Sequence, residues 1–159
     1  MRNLPRAVIA VALAAGLSWT PARDAAALMD EGRPACDYCR MIMTERRFGG
    51  MLETAEGRGL IFDSAECLAA YCLRNEAASA TSHAMWSVCW APPGVWMRAE
   101  RAWYLHSDRL ESPMAMNLSA FQSRSDAERA SRAHPGEVLS WRQVLALVDR
   151  TWFHQDTGR

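Results

Sequence analysis

Lysine is absent. All 18 basic residues of the 159-residue chain are Arg, which excludes a lysine nucleophile, a Schiff base and any phosphate loop built around Lys. An excess of either charge is lacking too, because 18 acidic residues balance the arginines, and that argues against nucleic acid or another polyanion as partner. No Ser-centred nucleophile motif occurs, and no carboxylates pair up for acid–base work. Asp37, Glu66 and Glu128 read as loop or cap carboxylates. Half the residues are apolar and 23% are charged, the composition of a globular chain. The length fits one ordinary domain or two very small ones. What the chain has in quantity is sulfur: five Cys and nine Met, with seven Trp beside them.

The first segment reads as an address. Arg2 and Arg6 precede an apolar run from Ala7 to Leu17, and small residues lead to Ala25-Ala26-Ala27. That order of charge, apolar stretch and small-residue site predicts an export signal over 1–27, and the run is shorter than the roughly 20 residues of a membrane span. No Cys lies between Leu13 and Ala35 to take a lipid, so membrane attachment is expected only if the signal stays uncleaved. The periplasm is the expected location. Cys36, Cys39, Cys67, Cys72 and Cys89 all follow the signal, where an oxidising compartment favours disulfides, yet their odd number leaves at least one thiol for other use.

Apolar patterning predicts an α+β chain of two small ββαβ units packed together by a shared face. In the first, over 28–91, Met51–Thr54 and Leu60–Phe62 flank a turn, Asp63-Ser64-Ala65-Glu66 reads as a capping box, and a helix runs from about Ser64 to Asn75. After a polar connection, Trp86, Val88 and Trp90 alternate as in a half-buried strand. Pro92-Pro93-Gly94 breaks the chain. The second unit, over 92–150, is expected to hold strands at Val95–Arg98, Ala102–His106 and Met114–Phe121. A helix boxed by Ser125 to Glu128 follows, then a short strand at Val138-Leu139. A last helix opens at Ser140 with Trp141, Val144, Leu145 and Val148 inward. The tail over 151–159 is expected to fray.

Two stretches carry the chemistry. Cys36-Asp37-Tyr38-Cys39-Arg40-Met41-Ile42-Met43 is a C-x-x-C followed by alternate methionines. If extended from Cys39, it puts Cys39, Met41 and Met43 on one face. In Ser112-Pro113-Met114-Ala115-Met116, Pro113 favours extended geometry, so Met114 and Met116 would share a face as well. Thiolate and thioether donors select Cu(I), whereas structural zinc wants four Cys or His ligands and finds one close Cys pair and four scattered His. The candidate metal ligands are therefore Cys36, Cys39, Met41, Met114 and Met116. Met29, Met51, Met85 and Met97 read as packing. Cys67, Cys72 and Cys89 read as small core hydrophobes, with a Cys67/Cys89 or Cys72/Cys89 disulfide as the alternative. The C-x-x-C by itself also fits a redox pair or a structural disulfide.

As a whole the pattern resembles the NosL family, accessory copper chaperones of nitrous oxide reductase. The resemblance rests on the C-x-x-C-x-M of Cys36 to Met41, on Phe62-Asp63-Ser64-x-Glu66-Cys67-Leu68-Ala69-x-Tyr71, and on Ala99 to Tyr104. It continues through Ser112-Pro113-Met114, Ala120-Phe121 and Gly136-Glu137-Val138-Leu139-x-Trp141. It implies two ββαβ units, Cu(I) held by Cys and Met sulfur, and delivery in the periplasm to a copper enzyme or its membrane assembly apparatus. The chain departs from the family pattern at Arg40, where Gly is usual, at Ala115-Met116, where Gly-His is common, and at Pro135. The family's lipoprotein Cys is missing. Loss of Gly at position 40 changes how closely the backbone can approach a metal, and Met116 in place of His makes the donor set softer.

Three functions are set against one another by these residues. The first is a metallochaperone, not an enzyme, with Met114 closing the site from the other unit and with homodimerisation around shared sulfur left open. The second is a periplasmic thiol–disulfide redox protein using Cys36/Cys39. The third is a pure interaction protein whose Trp and Met faces dock a membrane partner.

Overall fold

Apolar residues on either side of the Glu56–Gly59 turn pair into a hairpin. Strand β1 (Gly50–Glu53) runs antiparallel to β2 (Gly59–Phe62), with Gly50 opposite Phe62 and Glu53 opposite Gly59. The computed structural model describes residues 27, 29, 32–82 and 84–154. Apart from Ala27, the expected export signal lies outside the described residues, as do 155–159 of the tail.

From β2 the chain passes through Asp63 into α1 (Ala65–Arg74), whose N-cap is Ser64 with its hydroxyl accepting from the Cys67 N–H. The cap therefore sits one residue later than the expected Asp63-to-Glu66 box, which frees both carboxylates for other contacts. Helix α2 (Glu76–Ala80) occupies the polar connection. Strand β3 (Ala84–Val88) pairs with the other edge of β1, and β4 (Trp96–Arg98) pairs with β3. The first sheet runs β2-β1-β3-β4. The residues expected to open the second unit thus complete the first sheet instead, because the Pro92-Pro93-Gly94 reversal, with Gly94 at φ 86, returns the chain antiparallel to β3.

In the second sheet β5 (Trp103–His106) lies between β6 (Leu118–Phe121) and β7 (Glu137–Ser140), both antiparallel to it. Helix α3 (Arg124–Ala133) joins β6 to β7. Its N-cap is Ser123, two residues ahead of the expected Ser125, with Asp126 N–H donating to the Ser123 hydroxyl. The expected capping box at Ser140 is present: Gln143 accepts from the Ser140 N–H at the start of α4 (Trp141–Val148). Both units share one topology. In each, the first strand lies between the second and the strand after the helix, and the first sheet adds β4 beyond β3.

The units share a core. Leu52, Phe62 and Leu68 from the first pack with Tyr104, Leu118 and Val144 from the second. The fully buried Tyr104 phenol donates to the Ala99 carbonyl and pairs with the Ser87 hydroxyl of β3, so its polar end is satisfied across the junction. A parallel bridge between Cys89 and Ala120 joins the sheets directly. Met29, Met43 and Met51 pack with Ile61 and Val88 in a separate cluster. Within the described residues the chain stays helical past Asp149. Asp149–Phe153 continue as a π-helical turn, with Trp152 and Phe153 packed on the shared core. Among the described residues no helix is long and apolar enough to cross a membrane.

Candidate metal centre

The C-x-x-C stretch is a turn, not a strand. Cys36 N–H donates to the Met41 carbonyl, Arg40 N–H to the Cys36 carbonyl, and Arg40 takes the left-handed φ of 66. Two bonds staple this turn to β2: Asp37 N–H donates to the Ile61 carbonyl, and Ile61 N–H to the Asp37 carboxylate, both at 2.7 Å. The staple brings the turn against the β2–α1 junction, where Asp63 and Cys67 sit. The ligand atoms of Cys36, Cys39, Asp63 and Cys67 all lie within 4.8 Å of one another. Cys39 is half-buried and the other three are buried. Its thiol donates to Asp63 Oδ2 at 3.4 Å, while Asp63 Oδ1 is buried without a hydrogen-bond partner. A solvent-free carboxylate oxygen facing no donor is costly unless a cation or proton completes it.

The thiols divide their protons unequally. The hydrogen bond from Cys67 brings the Cys36 thiol down to about 6, against the opposing effect of burial, and backbone groups around Cys39, Asp63 and Tyr38 help. Cys67, as the donor to Cys36 and as a buried group facing two negative neighbours, is pushed far up. Burial, with the charges of Cys36 and Asp63, pushes Cys39 up to about 11. Cys36 is thus the thiol most readily ionised, with Cys67 as its hydrogen-bond donor. Cys67 also lies in the first turn of α1, where the helix dipole favours negative charge.

Three sulfurs suit Cu(I). Three sulfurs with one carboxylate oxygen are also a four-donor set of the kind zinc accepts, so zinc is better served than the sequence suggested.

Of the five candidate ligands, the structure brings Cys36 and Cys39 into this cluster. Met41, 45% exposed, does not share a face with Cys39, because the left-handed Arg40 breaks the alternation of an extended chain. Met43 is buried in the cluster with Met29 and Met51. Met114 and Met116 do not form a strip either. Ala115 and Asn117 take φ of 59 and 57, and β6 begins only at Leu118. Met116 is buried in the shared core, and Met114 packs half-buried against the same core as Cys36, Cys39 and Cys67.

A buried acid ties the Met114 loop to the site. Glu66, beside Cys67, accepts from the Ser112 hydroxyl and from Leu118 N–H. Burial raises its pKa although the Ser112 hydroxyl works against that, and its second oxygen has no partner.

Asp63 and Cys67 were missed by sequence reasoning, one taken for a cap and the other for core. The available signal was their i, i+4 spacing across a strand–helix junction in a chain with an odd Cys count. All five cysteines are free. Cys72 donates to Met85 Sδ and Cys89 to the Ala91 carbonyl, rather than pairing with each other or with Cys67.

The profile of the NosL family matches residues 27–147. The chain belongs to the NosL family. The match takes in the C-x-x-C turn, Asp63, Cys67 and the Met114 loop and stops short of Trp152. The crystal structure of the copper chaperone NosL from Shewanella denitrificans has a similar fold, with a TM-score of 0.61 and 18% identity over 69% of this chain and 88% of that one. No curated protein matches the chain. The NosL-family assignment and the two repeated sheet topologies agree with the fold read from the sequence.

Proposed function

We propose that this chain is a copper chaperone and not an enzyme: a periplasmic carrier that binds Cu(I) through Cys36 and Cys39 and passes it to nitrous oxide reductase or a related copper enzyme, by way of a membrane assembly apparatus. The observation that carries the reading is the gathering of Cys36, Cys39, Cys67 and Asp63 at one point in a NosL-family chain. The similar fold of a protein named as a copper chaperone supports it. Met114 closes the site from the neighbouring unit, its loop held by the Glu66–Ser112 contact, and Met41 or Met116 completes the set during transfer. Thiolates neutralise the ion's charge in a partly apolar place, and thioethers add hold without adding charge.

The redox reading is the weaker one. Attack on a disulfide needs a thiolate with access. Here the low-pKa Cys36 is buried, and the accessible Cys39 keeps its proton up to about 11.

The test is anaerobic titration of the reduced protein with Cu(I) against a competing chelator, joined to X-ray absorption. The expected result is one tight site per chain with sulfur-dominated ligation. Cys36→Ser and Cys39→Ser should weaken it by about 100-fold or more, and Met114→Ala by about tenfold. No saturable site, or affinities untouched by the Cys variants, overturns the proposal. A parallel zinc titration shows which ion the S3O set retains.

A further inference from the structure

The π-helical turn Asp149–Phe153 begins beyond residue 147, where the family match ends, so it belongs to this chain rather than to the matched pattern. π-helical turns are rare, and this one touches both elements that carry the thiols. The Trp152 indole lies nearly parallel on the Tyr38 ring, with centroids 6.1 Å apart and planes 11° apart. Tyr38 is one of the two residues between Cys36 and Cys39. The Phe153 ring lies 4.4 Å from the Arg74 guanidinium carbon, and Arg74 is the last residue of α1, the helix that bears Cys67. Tyr38 and Cys39 pack with Trp152 and Phe153 against the shared core.

We infer that Trp152 is a positioning residue of the thiol site: stacked on Tyr38, it holds the Cys36–Cys39 turn closed against α1 and slows exchange at Cys39. Cys39 is the only one of the five thiols that is not buried, so an incoming or departing metal acceptor meets the site there. Opening the turn lifts Tyr38 off the indole. A stacked aromatic pair is strong enough to shift such an open–closed equilibrium by about tenfold. The consequence for metal release rests on the copper reading above, whereas the effect on thiol access does not.

The test uses the full chain, reduced and metal-free. The rate of Cys39 alkylation by iodoacetamide is followed by mass spectrometry in the parent, Trp152→Ala, Trp152→Phe, Tyr38→Ala and the Tyr38/Trp152 double variant. Trp152→Ala should alkylate about tenfold faster at Cys39, and Trp152→Phe should stay within about twofold of the parent. In the Tyr38→Ala background, removing Trp152 should add nothing. Loaded with Cu(I), the variants should release metal to a chelator in the same rank order with unchanged metal content at saturation.

Equal Cys39 rates in the parent and Trp152→Ala overturn the inference, and so does an undiminished acceleration in the Tyr38→Ala background. If the parent takes up no Cu(I), the copper reading fails while the alkylation ratios still decide the role of Trp152. Should Trp152→Ala lose its cooperative melt, Trp152→Leu, which keeps apolar volume without the stacked ring, takes its place in the same comparison.

Discussion

Cys36 shows how a buried thiol becomes a ready metal ligand. Its pKa falls from the ordinary 9.0 to about 6 chiefly because Cys67 donates to it. The thiolate therefore contributes to stability in full above the unfolded value of 9.0, and that contribution is lost as pH falls through about 6. In the reduced apo-protein, thiolate ultraviolet absorbance should disappear as pH falls through that value, and Cys36→Ser should abolish the transition. Cys67→Ala removes the largest lowering cause, so the midpoint should move up; a midpoint that stays put would show that the backbone alone holds the charge. The spacing of Cys36 and Cys39 was legible in the sequence because C-x-x-C is a local pattern. Asp63 and Cys67 were not, since their side chains become donors only when the Asp37–Ile61 staple folds the turn onto a junction more than twenty residues along the chain.

Among the elements, α1 and the β1–β2 hairpin were readable nearly to the residue, because burial on one side writes a period into the chain. The two methionine stretches were misread as extended because Arg40 and Ala115 take a left-handed φ that neither residue type advertises; only the glycines usual there in the family pattern point to it. Strand β4 was assigned to the wrong sheet because strand pairing is a non-local choice. Gly136 just before β7 shows a tighter local demand. A Cβ there would overlap the His106 carbonyl oxygen and come within 2.8 Å of the Ser107 Cβ, at the end of the β5–β7 ladder. The overlapped group is backbone and has little room to yield. Gly136→Ala should lower unfolding free energy by on the order of 3 kcal/mol in urea titration, without changing the ligands at the Cys36 turn.

For the whole molecule, the thiols' mutual reach within 4.8 Å cuts both ways. An oxidant that closes Cys36 onto Cys39 or Cys67 removes two sulfur ligands at once. Copper uptake should therefore be lost on oxidation and return with a thiol reductant, as measured by metal content after gel filtration. Equal uptake before and after reduction counts against thiolate ligation. The repeated strand–strand–helix–strand order was visible in the apolar patterning and the capping signatures. Their packing on one another was legible as well, but the contact that joins them was not, because Tyr104 reaching Ser87 spans two sheets.

Met41 and Met43 stand two positions apart yet are 45% and 3% exposed. That contrast makes the pair a built-in clock for breathing of the first sheet. Under dilute peroxide the outer thioether gains its oxygen at the solvent rate, and the inner one only when its packing opens. The ratio of the two sulfoxides in a single peptide then reports how often this face of the protein comes apart, with no added label.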